Sequence, residues 1–152
     1  QSFNDQHLQT LGRIHNSEQA HRAINMAQNA GFEHMNLDLM FGLPEQSIEQ
    51  AVDDVEQALR YQTGHLSHYQ LTLEKNTLFY KHPPILPAED QIWEMQMACQ
   101  QYIAKQLTQY EVSAYAAKQQ QSQHNVNYWQ LVDYLGIVAV QHGKLTDSQA
   151  QV

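Results

Sequence analysis

The sequence predicts an α/β fold, a partial (β/α) barrel in which mostly parallel strands alternate with helices. Three long segments repeat apolar residues with the period of a helix, and shorter segments between them alternate or run apolar like strands. The stretch from 34 to 44, HMNLDLMFGLP, is typical of a strand covered on both faces, as in a parallel sheet. Because right-handed crossovers curl successive βαβ units, this order favours part of a barrel or an open sheet.

The opening segment, QSFNDQHLQTLGRIH, reads like the end of a strand and has no start methionine, so we expect a piece of a longer protein. A helix follows, because Asn16 and Gln19 have the spacing of a capping box. Gly31 is placed to end this helix. Its apolar stripe is formed by Ala20, Ala23, Ile24 and Ala27.

One acid, Asp38, interrupts the central strand, and Gly42 and Pro44 stop that strand. A carboxylate is costly to bury without a partner. We therefore expect Asp38 near the C-terminal end of the strand, where it would face a pocket. In parallel α/β folds this end of the sheet is where ligands bind.

The remaining elements continue the alternation of helix and strand. Ser47, with Gln50 three residues on, caps a second helix, and the segment 65–74 alternates as a strand. Residues 76–87 are rich in proline and read as an irregular loop, and a long helix starts at Ala88. Two more strands are predicted, at 109–116 and 134–140. A polar loop and the segment HNVNYW lie between them.

Composition narrows the classes of function. The chain has 152 residues, enough for one domain, and its formal net charge of −8 without a basic cluster argues against nucleic acid as a partner. No apolar run reaches the length of a membrane span. The single cysteine, Cys99, excludes an internal disulfide, cannot hold an iron–sulfur cluster by itself, and fits a reducing, cytoplasmic location. Because Cys99 lies on the apolar stripe of the long helix, we expect it to be buried.

Seven segments of the sequence together resemble those of a known protein family, although no single segment is specific enough to identify it. They are QSFND, LGRIH, NLDLMFGLP, YQLTLEKNT, YEVSAYA, HNVNYW, and DYLGI followed by HGKLT. In order and approximate spacing they resemble the HemW family of radical S-adenosylmethionine (SAM) proteins, which are related to oxygen-independent coproporphyrinogen III oxidase. The resemblance implies that residues 1–146 are the second half of a radical SAM barrel domain, with 147–152 as a frayed tail. The family's three-cysteine loop for a 4Fe–4S cluster and its glycine-rich SAM-binding strand have no counterpart here.

The resemblance also implies five SAM-binding positions. Gln1 matches the glutamine of the QSFN motif, Arg13 the arginine of LGR, and Asp38 the acid of the next strand. Thr72 falls where the related oxidase has a small residue near SAM, and His142 lies in a stretch that approaches SAM in that enzyme. The chemistry agrees for the first three. An arginine can hold the SAM carboxylate, an aspartate can accept from an amino group or hydroxyl, and a glutamine can do both.

Structural alternatives exist for several of these positions. Arg13 alone is typical of a solvated surface charge, and Asp38 alone would suit a carboxylate that caps a neighbouring helix. Gln1, at the start of the chain, would suit a disordered end. Thr72 suits packing within a strand.

The segment HNVNYW matches a haem-associated motif of the family. The resemblance implies that His124 is an axial ligand of haem iron and that Asn125 orients its imidazole. Tyr128 and Trp129 would then lie against the porphyrin. The structural alternative is that His124 and Asn125 cap a turn while the two aromatic residues plug the end of the sheet.

Three functions stay open. The first is a protein that binds SAM and a 4Fe–4S cluster and delivers haem to respiratory acceptor proteins. The second is an enzyme that decarboxylates coproporphyrinogen III in porphyrin biosynthesis. The third is a scaffold that associates with other chains through an open sheet edge. We expect the chain alone to be catalytically inert, because the cluster ligands are not in it.

The last predicted strand departs from the family pattern. Val138 and Val140 replace glycines, and Gln141 replaces an alanine. Valine is a poor substitute where the backbone must approach a ligand closely. Whether that strand binds a ligand in this chain is therefore left open.

Overall fold

The structure is a computed structural model that describes residues 1–130, 133, 143 and 144. The chain divides into two compact units, residues 1–120 and residues 121–152, and each is described by itself. The predicted strand 134–140, the predicted boundary at residue 146 and the predicted tail 147–152 lie outside the described residues.

The first unit alternates helices with strands, as the sequence predicts. Its helices are α1 (Asp5–Thr10), α2 (Ser17–Asn29), α3 (Ile48–Arg60), α4 (Leu78–Lys81) and α5 (Glu89–Ile103). Its strands are β1 (Met35–Phe41), β2 (Gly64–Gln70), β3 (Thr108–Gln109) and β4 (Ala114–Ala116). The described part of the second unit contains α6 (Gln123–Trp129). No helix of the described residues is long and apolar enough to cross a bilayer.

Both predicted capping boxes are present. The side chain of Asn16 accepts from the backbone of Gln19, whose side chain in turn accepts from the backbone of Asn16. Ser47 and Gln50 make the same reciprocal pair at the start of α3. Gly31 follows the C-cap of α2 with a φ of +85°, a conformation that favours glycine.

The described sheet has the strand order β1-β2-β4-β3. The pairing of β1 with β2 is parallel, with Asp38 opposite Ser67, whereas β4 is antiparallel to both β2 and β3. The α/β class is therefore confirmed, and the parallel part of the described sheet is its first pair of strands. The prediction of a single strand at 109–116 is wrong, because these residues form the short hairpin of β3 and β4. The chain turns back where the amides of Tyr110 and Glu111 donate to the carbonyl of Ala114.

Other boundaries also differ from the prediction. The opening segment contains α1, which Asn4 caps by accepting from the amides of Gln6 and His7. The proline-rich loop contains the short helix α4, capped by Thr77. Strand β2 ends at Gln70, because its partner β1 ends at Phe41, the residue that pairs with Gln70.

The sheet has one apolar and one polar face. Helices α3 and α5 pack against each other and against β1. The core they form includes buried residues of the sheet and of both helices: Leu39, Phe41, Leu66, Tyr115, Val55, Met95, Cys99 and Ile103. On the other face Asn36 and Asp38 are exposed. The prediction that β1 is covered on both faces is therefore wrong in the described residues, and the alternation in its sequence reflects one-sided burial.

Candidate functional site

A cleft beside β1 gathers polar groups from the opening segment and from the strand. It has a volume of about 260 Å³, and we call it the β1 cleft. It is lined by Gln1, Ser2, Phe3, His15, Ala20, Ile24, Asn36, Leu37, Asp38 and Leu39. Two of the predicted SAM-binding residues, Gln1 and Asp38, thus lie on the same cleft.

The opening segment is fixed against the sheet and against α3. The backbone carbonyl of Gln1 accepts from the amide of Met40 at 2.8 Å, as the end of a neighbouring strand would. Asp54 of α3 accepts from the hydroxyl of Ser2 and from the amide of Phe3, each at 2.6 Å. The structure therefore holds Gln1 in place, and the alternative of a disordered end is wrong.

Asp54 was missed by sequence reasoning, although it stands out in retrospect. It is 2% exposed and lies among the apolar residues on the buried side of α3. Burial raises the pKa of its carboxyl, while the hydrogen bonds from Ser2 and Phe3 act in the opposite direction. An acid on the apolar stripe of an amphipathic helix is the signal that would have identified it.

Asp38 lies in the middle of β1, not near its C-terminal end as predicted. Its side chain is exposed, and its Oδ1 accepts from the amide nitrogen of Asn36 at 2.8 Å. The alternative of a helix cap is wrong, because the described helices have other residues at their N-caps. The expectation that Asp38 faces a pocket is confirmed by the β1 cleft.

Three of the predicted residues affect the phenol of Tyr69 on β2. Burial raises the pKa of its phenol, and the negative charge of Asp38 raises it further. The Gln1 side chain, through a hydrogen bond, and the positive charge of Arg13 both lower that pKa. Arg13 is exposed, as its surface alternative requires, but its charge reaches the same phenol as that of Asp38.

Thr72 is not brought to this group by the structure. It lies beyond the end of β2, is exposed, and donates from its hydroxyl to the carboxylate of Glu74 at 2.9 Å. The alternative of packing within a strand is wrong for the same reason, since β2 ends at Gln70. His142 lies outside the described residues.

A chain of side-chain hydrogen bonds crosses the polar face of the sheet behind Asp38. His65 is 6% exposed, and its Nδ1 lies 2.7 Å from Oδ1 of Asn36 while its Nε2 lies 2.6 Å from the hydroxyl of Tyr110. Ser67 donates to the same Oδ1 of Asn36 at 3.1 Å. The available signal was the polar residues at every second position of β2, which share one face of the strand.

The segment HNVNYW forms most of α6 in the second unit. Ser122 caps this helix by accepting from the amide of Asn125 at 3.4 Å. His124 and Tyr128 lie one turn apart with ring centroids 4.9 Å from each other, edge to face. Tyr128 and Trp129 are 42% and 67% exposed, and the alternative in which they plug the end of the sheet stays a prediction. The exposed imidazole of His124 has the chemistry of a haem ligand.

An iron–sulfur cluster does not fit the residues of this chain. The sequence has a single cysteine, and Cys99 is fully buried in the core, as predicted. Burial raises the pKa of its thiol to about 12, whereas cluster ligation requires thiolates. Within the part of the chain that the structure describes, no three His, Cys, Asp or Glu side chains are grouped to hold a metal ion.

SAM fits the group around the β1 cleft by the chemistry of its donors and acceptors. The cleft offers a carboxylate in Asp38 and an amide in Gln1, and the guanidinium of Arg13 acts on the same neighbourhood. This set complements a ligand that carries an amino group, a carboxylate and hydroxyls.

Comparison with known proteins gives close relatives, although no protein-family model matches the chain. The chain is 48% identical over 147 residues to the heme chaperone HemW of Escherichia coli, covering 96% of the chain and 39% of that protein. It is 49% identical to HemW of Haemophilus influenzae, again over 96% of the chain and over 38% of that protein. A mouse protein named radical S-adenosyl methionine domain-containing protein 1, mitochondrial, is 36% identical over 95% of the chain and 34% of its own length.

A solved structure supports the same fold. Coproporphyrinogen III oxidase (HemN) from Escherichia coli, described as a radical SAM enzyme, is similar with a TM-score of 0.70. The match covers 86% of this chain and 30% of that chain at 18% identity, so it shows the fold alone. The chain thus spans less than half the length of the curated relatives it matches. With these identities over nearly all of its residues, the chain belongs to the HemW family of radical SAM proteins.

Proposed function

We propose that this chain supplies SAM-binding residues of a HemW-like protein that binds and delivers haem. One observation carries the SAM part of the proposal: Gln1 and Asp38 line one cleft, and the charges of Asp38 and Arg13 act on the same phenol of Tyr69. Two residues singled out from separate sequence motifs, Gln1 and Asp38, thus line one cleft.

In this proposal each side chain has a role suited to its chemistry. The guanidinium of Arg13 pairs with the carboxylate of SAM, and Asp38 accepts a hydrogen bond from its amino group or from a ribose hydroxyl. Gln1, held by Asp54 through its neighbours, adds a donor and an acceptor. A reduced 4Fe–4S cluster supplies the radical chemistry of such proteins, and its ligands come from outside this chain because Cys99 cannot serve.

Residues of α6 are proposed to bind haem. His124 would be the axial ligand, with Asn125 orienting it and the exposed rings of Tyr128 and Trp129 lying against the porphyrin. This part is supported by the name heme chaperone, which the bacterial relatives carry. Recipients among respiratory haem proteins and a cytoplasmic location belong to the same proposal.

A haem titration tests the role of His124. Increasing amounts of haem are added to the chain, and the Soret band is recorded for the native chain and for His124→Ala. We expect the variant to lose the spectrum of an imidazole-ligated iron and to bind more weakly. His82→Ala removes another exposed histidine and should leave both spectrum and affinity unchanged. An unchanged spectrum and affinity in His124→Ala would exclude His124 as the ligand.

Decarboxylation of coproporphyrinogen III is the second candidate, favoured by the similarity in fold to HemN. It would require the same SAM-binding residues together with a cluster from outside this chain. Adding iron and sulfide to the chain alone should therefore give no SAM cleavage. Turnover by the chain alone would contradict the view that it lacks the cluster site.

Association through the sheet edge is proposed for the assembly of the domain. β1 is at the end of the described strand order, and apart from the bond between Met40 and Gln1 its outer edge pairs with no other described strand. Such an edge favours the addition of further strands. The proposed partners are the strands of the other half of the proposed barrel.

A further inference from the structure

Asp38 is connected to the interior of the sheet by a series of hydrogen bonds. From the outside inwards these join Asp38 to Asn36, Asn36 to His65, and His65 to Tyr110, at distances of 2.8, 2.7 and 2.6 Å. Ser67 joins the series at Asn36. Asn36 and Asp38 are exposed, whereas His65 is buried and cannot easily move. The fixed part of the series is thus His65.

The position of every proton in this series follows from the acid at its end. The NH₂ of Asn36 donates to Oδ1 of Asp38, so its oxygen faces His65 and Ser67. An amide oxygen cannot donate, so the Nδ1 of His65 that lies 2.7 Å from it carries the proton. Nε2 of His65 is then unprotonated and accepts from the hydroxyl of Tyr110. Burial lowers the pKa of His65, which agrees with a neutral ring.

We propose that His65 is a positioning residue that fixes, through Asn36, the orientation of the Asp38 carboxylate. Asp38 is exposed, so the hydrogen bond from Asn36 limits the rotation of its carboxylate. With Oδ1 engaged by Asn36, its second oxygen is presented in one orientation to a ligand in the β1 cleft. The effect on ligand binding rests on the proposed role of Asp38 in holding SAM, but the orienting role does not.

Two substitutions of His65 separate positioning from mere packing. The side-chain nitrogen of His65→Asn takes the place of Nδ1 and keeps a donor for Asn36, while the contact with Tyr110 is lost. The polar end of His65→Gln takes the place of Nε2 and keeps a partner for Tyr110, while the donor to Asn36 is lost. Both variants replace a buried ring by a smaller amide, so a loss that arises from packing alone affects them similarly.

The experiment is nuclear magnetic resonance on the whole 152-residue chain. Long-range proton–nitrogen correlation reports which nitrogen of His65 carries the proton, and the side-chain amide of Asn36 and the carboxyl carbon of Asp38 report orientation. We expect the Nδ1–H form in the native chain. Signals of Asn36 and Asp38 should stay in place in His65→Asn and move in His65→Gln. Tyr110→Phe should leave those signals in place and keep the Nδ1–H form, because the bond from Nδ1 to Asn36 does not involve Tyr110.

An Nε2–H ring in the native chain, or unchanged Asn36 and Asp38 signals in His65→Gln, would overturn the inference. Titration with SAM is then followed by the same signals. We expect His65→Gln to weaken binding by about fivefold, as the loss of one hydrogen bond implies, and His65→Asn to change it by less than twofold. Failure of Asp38→Asn to weaken SAM binding would refute the proposed role of Asp38, while the ring and amide signals would still decide the role of His65.

Discussion

Asp54 on α3 accepts a hydrogen bond from the hydroxyl of Ser2 at 2.6 Å, although 52 positions separate the two residues in the chain. Its other oxygen accepts from the amide of Phe3 at the same distance. This carboxylate therefore fastens the segment that brings Gln1 to the β1 cleft. Asp54 does not line the β1 cleft, but it holds the backbone next to Gln1, which is a proposed SAM contact.

Removal of the Asp54 carboxylate should loosen the opening segment, which it holds at Ser2 and Phe3. In Asp54→Ala the buried hydroxyl of Ser2 and the amide of Phe3 lose their acceptor, and we expect a loss of about 2 kcal/mol in the free energy of unfolding. Hydrogen exchange should accelerate at the amide of Phe3 more than in the core of α3. Urea denaturation and exchange measured by nuclear magnetic resonance check the two effects.

Two controls make the test specific. Asp53 is the exposed neighbour of Asp54 on α3, so Asp53→Ala should leave exchange at Phe3 unchanged. Asp54→Asn keeps an oxygen for the amide of Phe3 and should protect it more than Asp54→Ala does. Equal exchange at Phe3 in the native chain and in Asp54→Ala would show that the segment is held by other contacts.

Mild acid should destabilise the fold through His68. This ring is 4% exposed and stacks on Phe41 with centroids 4.6 Å apart, and burial lowers its pKa from 6.5 to about 4. Between these two values the unfolded chain binds a proton that the folded chain does not. The free energy of unfolding should thus fall by about 3 kcal/mol as the pH drops from above 6.5 to about 4.

Urea denaturation at several pH values measures this dependence. His68→Phe removes the titrating group and keeps an aromatic ring beside Phe41, so the variant should lose that share of the pH dependence. Burial also lowers the pKa values of His7 and His65, so the contributions of these two residues to the pH dependence should remain in the variant. A variant with the same slope as the native chain would contradict the assignment of this dependence to His68.

The single cysteine should be chemically inert in the folded chain. Cys99 is fully buried on α5, and burial raises the pKa of its thiol to about 12. A thiol reagent should therefore react with it only as fast as the chain unfolds. In the double variant Cys99→Ala, Met97→Cys the thiol is placed on the same helix at a position that is 40% exposed, and it should react as an ordinary thiol. Fast labelling of native Cys99 would contradict its burial.

Local signals predicted the helices well. The capping boxes at Asn16 and Ser47 and the position of Gly31 depend on residues a few positions apart, so the sequence displays them directly. The hairpin of β3 and β4 was missed because its turn, residues 110–113, contains no glycine, proline or asparagine to mark it. The end of β2 was misplaced because it depends on where a different strand, β1, runs out.

Motif matches marked part of the candidate site, and the role of those residues in SAM binding stays a prediction. Gln1, Arg13 and Asp38 came from motif matches, and Gln1 and Asp38 line the same cleft. Asp54 and His65 were missed because their partners, Ser2 and Asn36, lie 52 and 29 positions away. Alternation alone cannot tell a strand covered on one face from one covered on both when its polar residues are few, which is why β1 was misjudged.

SAM affinity tests the central proposal most directly. The matching 147 residues of Escherichia coli HemW are replaced by this chain, the cluster is reconstituted in the hybrid, and SAM binding is measured by calorimetry. We expect the hybrid to bind SAM, and Arg13→Ala and Asp38→Asn each to weaken binding about tenfold or more, as the loss of a charge-assisted hydrogen bond implies. Lys105→Ala, which removes an exposed cation stacked on Tyr102, should have no effect. The proposed SAM site would be contradicted if the Arg13→Ala, Asp38→Asn and Lys105→Ala variants all fold, bind the cluster and bind SAM as tightly as the unsubstituted hybrid.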